Sequence, residues 1–231
     1  MTMLNTYYRD RLSADQQIAY DHLCRGIRKQ SRQIEVPYTD DFGRVIRAIN
    51  WDHPEFFYVN WLDRVSYTVM GETAHLRLNY MYHEDEVMHL TGRMREIARG
   101  LAGISSYSKA LCIHDWFVRH VEYDHRGLEQ VIRSPGMFSA AGPLMRQKAV
   151  CEGISKLACL LMREKGIEAG IVIGSAQSGV PHAWNMLEVG DQRVYADITF
   201  DIGLSSNGVI QRKYFLLSRA EMARDHVTQL F

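Results

Sequence analysis

Three short stretches of the chain carry residues that can act together as a nucleophile and its base. Cys151 opens an apolar segment, His182 follows 31 residues later, and Asp197 comes 15 residues after His182. A thiol, an imidazole and a carboxylate are the parts of an activated thiolate, because the imidazole takes the thiol proton and the carboxylate fixes the imidazole tautomer. We therefore expect Cys151 to be the nucleophile, His182 the base and Asp197 its orienting group. A resting thiolate–imidazolium pair is equally compatible with this set.

The segment that follows Cys151 favours its reactive form. Apolar residues between Ile154 and Met162 recur at the spacing of one buried helix face, and Lys165-Gly166 is a stop signal. Cys151 is thus expected at a helix N-terminus, where unpaired backbone N–H groups and the macrodipole stabilise an anion. The other cysteines lie inside amphipathic stretches and are expected to be small buried hydrophobes: Cys24, Cys112 and Cys159.

The base and its orienting group are expected on the two strands of a hairpin. Strand patterns cover residues 167–174, 182–189 and 193–199. A three-residue turn at Gly190–Gln192 joins the last two strands. In that register His182 and Asp197 are neighbours on the sheet without lying directly opposite each other. Asp201 stays a competitor for the carboxylate role.

The two residues that follow in the motif His182-Ala183-Trp184-Asn185 are candidate substrate-binding residues. Strand alternation places Trp184 on the same face as His182, where it can form a wall of the site. Asn185 is expected to be a functional neighbour of the base.

The donors that would stabilise the oxyanion of a tetrahedral intermediate are only partly assigned by the sequence. The backbone N–H of Cys151 is the expected first donor. The second donor stays open among Gln147, Tyr123 and a backbone amide of residues 138–142.

These motifs resemble those of the transglutaminase-like superfamily, a branch of the papain-like cysteine enzymes. The resemblance rests on Val150–Gly153, His182–Asn185 and Tyr195–Asp201, and it covers roughly residues 105–218. Further matching stretches lie upstream and downstream: Ile113–Trp116, Val121–Asp124 and Tyr214–Ser218. The resemblance implies an α+β, papain-like core in which the nucleophile opens a helix that packs on an antiparallel sheet. It also implies that Cys151, His182 and Asp197 are the catalytic triad.

The chemistry implied by the resemblance is attack of the thiolate on an amide or related acyl carbon, with a thioester intermediate. Hydrolysis needs only water, whereas transamidation needs a second groove for an amine, and no acidic calcium-binding loop is present. We therefore expect a protease-like hydrolase that acts on a protein or peptide amide. A protein-glutamine transamidase or deamidase, with an amine as possible acceptor, is the first alternative. A catalytically silent interaction domain is the second.

The amino-acid composition limits the kinds of binding partner and the cellular compartment that we expect. Lys+Arg and Asp+Glu both total 27, which argues against a dedicated nucleic-acid or membrane surface. The first ten residues lack the pattern of a signal peptide, and no apolar stretch reaches transmembrane length. Four cysteines without framework spacing fit a reducing compartment, so a cytoplasmic location is expected. No ligand set with zinc spacing is found, and neither a metal nor a cofactor is predicted.

The N-terminal half is expected to be an α+β extension, residues 1–104, that packs on the catalytic core at residues 105–231. Helices are predicted after Ser13, after Thr39–Asp41 and over residues 84–101, and strands over residues 56–61, 64–70 and 76–82. His114 is expected to be a packed helix histidine. Asp225-His226, near the end of the chain, is expected to be a surface or interface feature.

Overall fold

The computed structural model describes residues 3–126, 130, 132–229 and 231. The eight helices within these residues are α1 Ala14–Arg28, α2 Phe42–Asp52, α3 Glu84–Gly100, α4 Ser106–His120, α5 Ala141–Arg146, α6 Cys151–Glu164, α7 Ile198–Leu204 and α8 Arg219–Met222. The strands are β1 Gln33–Pro37, β2 Ser66–Met70, β3 Thr73–Arg77, β4 Glu122–Tyr123, β5 Lys148–Ala149, β6 Ala169–Ala176, β7 Pro181–Val189, β8 Gln192–Ala196 and β9 His226–Thr228. This mixture of helices and sheets confirms the predicted α+β class.

The sheet that carries the candidate site has four antiparallel strands in the order β8-β7-β6-β9. Its β7–β8 turn is shorter than the sequence suggested, because Val189 pairs with Gln192 and only Gly190 and Asp191 remain in the loop. Gly190 has a φ of 61°, a conformation that glycine adopts at little cost. Strand β8 also ends at Ala196, three residues before the predicted end.

Helix α6 packs on this sheet as the central element of the molecule. Every residue from Gly153 to Met162 is buried, and the helix contacts β6 and β7 on one side and helices α3, α4, α5 and α7 around it. An apolar segment without a polar face is expected for a helix that is surrounded. The helix ends as predicted, with Gly166 at a φ of 76° just after its last turn.

A second sheet, in the order β1-β3-β2, lies in the N-terminal half with helix α1 against it. Its buried residues belong to the same continuous hydrophobic core as those of α6. The Tyr8 hydroxyl donates a hydrogen bond to the Ile171 carbonyl of β6, and α2 also contacts β6. The N-terminal half therefore packs on the four-stranded sheet, while the boundary at residue 104 stays a prediction.

Two predictions for the N-terminal half need correction, and one strand was not predicted. Residues 56–61 are not a strand: Pro54–Phe56 is a 3-10 turn, and Val59 makes only an isolated bridge to Tyr80. The rings at 56–58 are buried in the core, so packing explains the aromatic density there. The strand predicted up to residue 82 stops at Arg77. Strand β1 was not predicted, because five residues that end in proline give a weak alternation signal. None of the helices in the described residues is long and apolar enough to cross a membrane.

Candidate active site

Cys151 is the first residue of helix α6, and its side chain is partly exposed. The first backbone N–H groups of a helix have no partner within it, so they are available to stabilise a negative charge beside the sulfur. Gly153 lets this helix end approach the preceding turn, because a Cβ at that position would collide with the Met137 carbonyl oxygen. The start of α6 is therefore held in place by backbone packing as well as by its apolar face.

The remaining cysteines lie in different surroundings. Cys24 and Cys159 are buried as predicted, whereas Cys112 is partly exposed. Burial raises the pKa of the Cys159 thiol to about 11, and burial likewise raises the pKa of Cys24. Both side chains are thereby kept as neutral thiols near neutral pH.

His182 lies at the start of β7, opposite Gly174 of β6, with its ring between Cys151 and Asp197. Its Nε2 atom lies 2.6 Å from Asp197 Oδ2, and the Cys151 side chain is close enough to raise the pKa of the ring. Burial alone would lower the pKa of this imidazole, but the interactions with Asp197 and Cys151 outweigh it and raise the pKa to about 10. His182 is therefore an imidazolium near neutral pH, and it can stabilise a thiolate at rest.

Besides facing His182, Asp197 caps a helix and accepts a hydrogen bond from His226. It caps helix α7, since its Oδ1 atom accepts the backbone N–H of Phe200 at 3.1 Å, and this cap is why β8 ends before it. Its Oδ2 atom accepts hydrogen bonds from His182 at 2.6 Å and from His226 at 2.9 Å. Burial opposes ionisation, yet these hydrogen bonds hold the pKa of the carboxyl below its usual value. Asp197 is therefore an anion.

His226 is the residue near the site that the sequence did not indicate. It was expected at the surface, but it is buried in β9, and its second ring nitrogen lies 2.7 Å from Asp225. A strand of three residues is too short to give a periodic signal, so nothing in the sequence pointed to the pairing of Ala176 with His226 that brings it to Asp197.

The group His182, Asp197 and His226 is also the one set of potential metal ligands close enough together in the described part of the chain. Their facing atoms are already joined by the hydrogen bonds at 2.6 and 2.9 Å. The group is thus accounted for by direct hydrogen bonding.

The competing carboxylate, Asp201, belongs to a different network. Its Oδ2 atom lies 3.0 Å from His114 Nε2, and both of its oxygens accept the backbone N–H of Tyr214. His114 is fully buried, as predicted, and its other ring nitrogen lies 3.1 Å from Asp115. The structure brings Asp197, and not Asp201, to His182.

Trp184 and Asn185 do not face a cleft. Trp184 lies on the His182 face of the sheet, as alternation predicted, but only 1% of it is exposed and its ring packs behind the imidazole. Asn185 is equally buried, and its amide donates to the carbonyls of Ser155 and Gly170. Its position ties α6 to the sheet. Both side chains are held inside the core, and their contact with substrate stays a prediction.

A groove of about 540 Å³ opens beside His182. Its walls are mostly apolar and include Val180, Pro181, Phe200 and Leu204. Tyr123 lies at the same groove, on the strand that pairs with Ala149 just before Cys151. The arrangement places an apolar surface next to the imidazole.

Among the open candidates for the second oxyanion donor, Tyr123 and Gln147 are placed differently. Burial, together with the nearby charge of Cys151, raises the pKa of the Tyr123 hydroxyl, which therefore stays a proton donor. Gln147 is exposed, has a φ of 52°, and its carbonyl accepts the N–H of Glu122. The Gln147 carbonyl thus takes part in the pairing of β4 with β5.

A family model matches the part of the chain that carries the candidate site. Residues 95–198 match the model of the transglutaminase-like superfamily, and this stretch contains Cys151, His182 and Asp197. No curated protein matches the chain significantly.

Three solved structures resemble the chain weakly. They are a TGase (18% identity, TM-score 0.43, covering 78% of this chain and 53% of that one), a proposed protease from Parabacteroides distasonis (8%, 0.37, 57% and 35%) and a proposed cysteine protease from Cytophaga hutchinsonii (14%, 0.39, 71% and 65%). The chain spans about half the length of the TGase and less than two thirds of the other two. These values are too low to bear on activity. The family match confirms the resemblance of the motifs to the transglutaminase-like superfamily over residues 95–198.

Proposed function

We propose that the protein is a cysteine-nucleophile enzyme that hydrolyses an amide of a protein or peptide through a thioester on Cys151. The observation that carries the proposal is the position of His182, which lies 2.6 Å from the buried Asp197 carboxylate and close enough to Cys151 for the thiol to raise its pKa. A superfamily scaffold without activity has no physical need for this complete set, which counts against a silent interaction domain.

The first half-reaction forms the thioester. The Cys151 thiolate attacks the amide carbon, a carbon–sulfur bond forms, and the carbonyl electrons move to oxygen. When the oxyanion collapses, the carbon–nitrogen bond breaks and the His182 imidazolium gives its proton to the leaving amine. Asp197 holds the ring and stabilises its charged form throughout.

The second half-reaction reverses these roles with water as the acceptor. Neutral His182 takes a proton from water, the hydroxyl oxygen attacks the thioester carbon, and the carbon–sulfur bond breaks. The products are a carboxylic acid and the Cys151 thiolate beside the reprotonated imidazolium. Water is favoured over an amine because it needs no second binding groove.

The oxyanion would be stabilised by the backbone N–H of Cys151 and by the hydroxyl of Tyr123. The helix start provides the first donor. Tyr123 is favoured for the second because it lines the groove beside His182 and its pKa responds to the charge of Cys151.

The apolar groove supports a peptide substrate with an apolar side chain next to the cleaved amide. Its exposed residues Val180 and Leu204 would contact that side chain. The four free cysteines support a reducing compartment, the cytoplasm, where the nucleophile would stay reduced.

The test is to trap the acyl-enzyme. Parent protein and a Cys151→Ala variant are incubated with a peptide library, quenched in acid and examined by intact-protein and peptide mass spectrometry. We expect an acyl adduct on Cys151 of the parent alone, released by H₂¹⁸O with one ¹⁸O atom in the acid product. Release that requires an added amine would favour transamidation instead. Equal turnover by Cys151→Ala on every substrate of the parent would refute the proposal.

A further inference from the structure

We propose that His226 is a positioning residue of the active site, a second imidazolium that shares the Asp197 carboxylate with His182 and adjusts the charge on that histidine. The proposal rests on the proposed function, because it concerns how the same nucleophile is activated. It adds a second histidine to the Asp197 oxygen that His182 already contacts.

The hydrogen bonds of His226 indicate how many protons its ring carries. Its Nε2 atom lies 2.9 Å from Asp197 Oδ2, and its Nδ1 atom lies 2.7 Å from Asp225 Oδ1. A carboxylate only accepts hydrogen bonds, so a ring nitrogen that faces one must carry a proton. Both carboxyls are anionic, since hydrogen bonds outweigh burial and lower the pKa of Asp197 and of Asp225. The geometry therefore calls for a proton on each ring nitrogen of His226.

The position of His226 is fixed by the sheet. It pairs with Ala176 of β6, the strand next to the one that carries His182. Gly174 allows this close pairing, because a Cβ there would collide with the Val227 carbonyl oxygen. The rings of Trp184 and Phe200 lie 4.8 and 5.0 Å from the imidazole and keep it in place.

The titratable groups around His226 come from every element packed against it. They are Asp197 just after β8, Asp225 just before β9, His182 on β7 with its ring 5.6 Å away, and Tyr214, whose hydroxyl donates to Asp225 at 2.6 Å. Two cations thus face two carboxylates, and Tyr214 supports the outer carboxylate.

The arrangement has two consequences for His182. Two donors on one oxygen restrain the Asp197 carboxylate more firmly than one donor can, which fixes the ring of His182 in turn. The positive charge of His226 also opposes the protonated form of His182. Without it, Asp197 would hold the imidazolium more tightly, and transfer of its proton to a leaving amine would become harder.

The experiment measures the pH dependence of Cys151 alkylation by iodoacetamide, resolved by peptide mass spectrometry so that no substrate is needed. A thiolate–imidazolium pair gives two transitions: ionisation of the pair at lower pH and deprotonation of His182 at higher pH. Removal of a buried positive charge makes both protons harder to lose. His226→Gln, which keeps one donor for Asp197, should therefore move both transitions upward by about one pH unit. The exposed His120→Gln variant is the matched control and should leave both transitions in place.

Two results would overturn the inference. One is a folded His226→Gln protein, with parental circular dichroism, whose transitions coincide with those of the parent. The other needs no variant: ¹⁵N NMR of the parent at neutral pH should show His226 with both ring nitrogens protonated, and a neutral ring would contradict the proposal. A parent in which Cys151 reacts no faster than the partly exposed Cys112 would instead refute the proposed function, so the two failures are distinguishable.

Discussion

The His182 imidazole and the Asp197 carboxylate meet at 2.6 Å in surroundings that exclude water, with Asp197 fully buried. A charged pair in a low-dielectric interior is strong when it is fully hydrogen-bonded and costly when one partner is removed. Asp197 also holds the start of helix α7, so its two oxygens have separable duties.

Substitution of Asp197 by Asn or by Ala should separate the effect of its charge on His182 from its role as a helix cap. Asparagine can still cap the helix but carries no charge, so Asp197→Asn should lower the pH at which His182 deprotonates and reduce turnover by about 100-fold or more. Asp197→Ala should also remove the helix cap, so it should be less stable than Asp197→Asn by about 1 kcal/mol. Urea unfolding and Cys151 alkylation measure the two effects. Asp201→Asn is the control, because Asp201 bonds His114, and an equal loss of Cys151 reactivity there would contradict the assignment.

Stability should depend on pH through His182. Its pKa rises from an ordinary 6.5 to about 10 in the folded protein, so its contribution is complete below pH 6.5 and is lost as the pH rises toward 10. The free energy of unfolding of the parent minus that of His182→Gln should therefore shrink between these values. A difference that stays constant across this range would show that His182 is not held as a cation. Asp197, with its lowered pKa, acts oppositely: its contribution is present above its ordinary 3.8 and lost as the pH falls.

Gly153→Ala should destabilise the start of α6 by about 1–3 kcal/mol, because the new methyl group would collide with the Met137 carbonyl. Cys151 alkylation should slow in the same variant, since the helix end that carries the thiol must shift. Gly92→Ala is the matched control: this glycine lies in helix α3 with open space around it, and the substitution should stabilise by about 0.5–1 kcal/mol. Thermal unfolding of both variants checks the contrast, and a tolerated Gly153→Ala would refute the packing argument.

Lys156 is a buried lysine that joins three segments next to the site. Its ammonium group donates to Glu152 at 2.6 Å, to Asn50 at 2.7 Å and to the Phe138 carbonyl at 3.0 Å. Lys156→Met should cost about 3 kcal/mol, because these acceptors lose their partner. Lys148→Met, which removes a surface pair with Glu122, should cost less than about 1 kcal/mol. Denaturant unfolding compares the two, and similar costs would contradict the role of Lys156.

We expect the apolar groove to determine which peptides bind without affecting the reactivity of Cys151. Leu204→Glu puts a charge on its apolar wall, so KM for peptides with an apolar side chain should rise about tenfold, the effect of one large apolar contact. The rate of Cys151 alkylation should stay parental. Steady-state kinetics on the substrates found by trapping checks this, and an unchanged KM would place the substrate elsewhere.

Much of the core could be predicted from local pattern. The start of α6 at Cys151, its end before Gly166 and the hairpin of β7 and β8 follow from apolar spacing and turn residues, which act between near neighbours. The capping box of α1 at Ser13 follows from the same short-range chemistry. Strand β1 and the turn at residues 54–56 were not predicted, because their secondary structure depends on packing against distant residues.

The amino-acid sequence determined which residues can form the nucleophile, base and carboxylate, because thiol, imidazole and helix-start chemistry are local properties of Cys151, His182 and Asp197. Only the tertiary structure decided between Asp197 and Asp201, buried Trp184 and Asn185 away from the groove, and brought His226 to Asp197 across β6. These outcomes depend on strand register and on a pairing between residues 176 and 226, which are far apart in the chain. Such contacts have no short-range signal, and they are what turns three matching motifs into one hydrogen-bonded site.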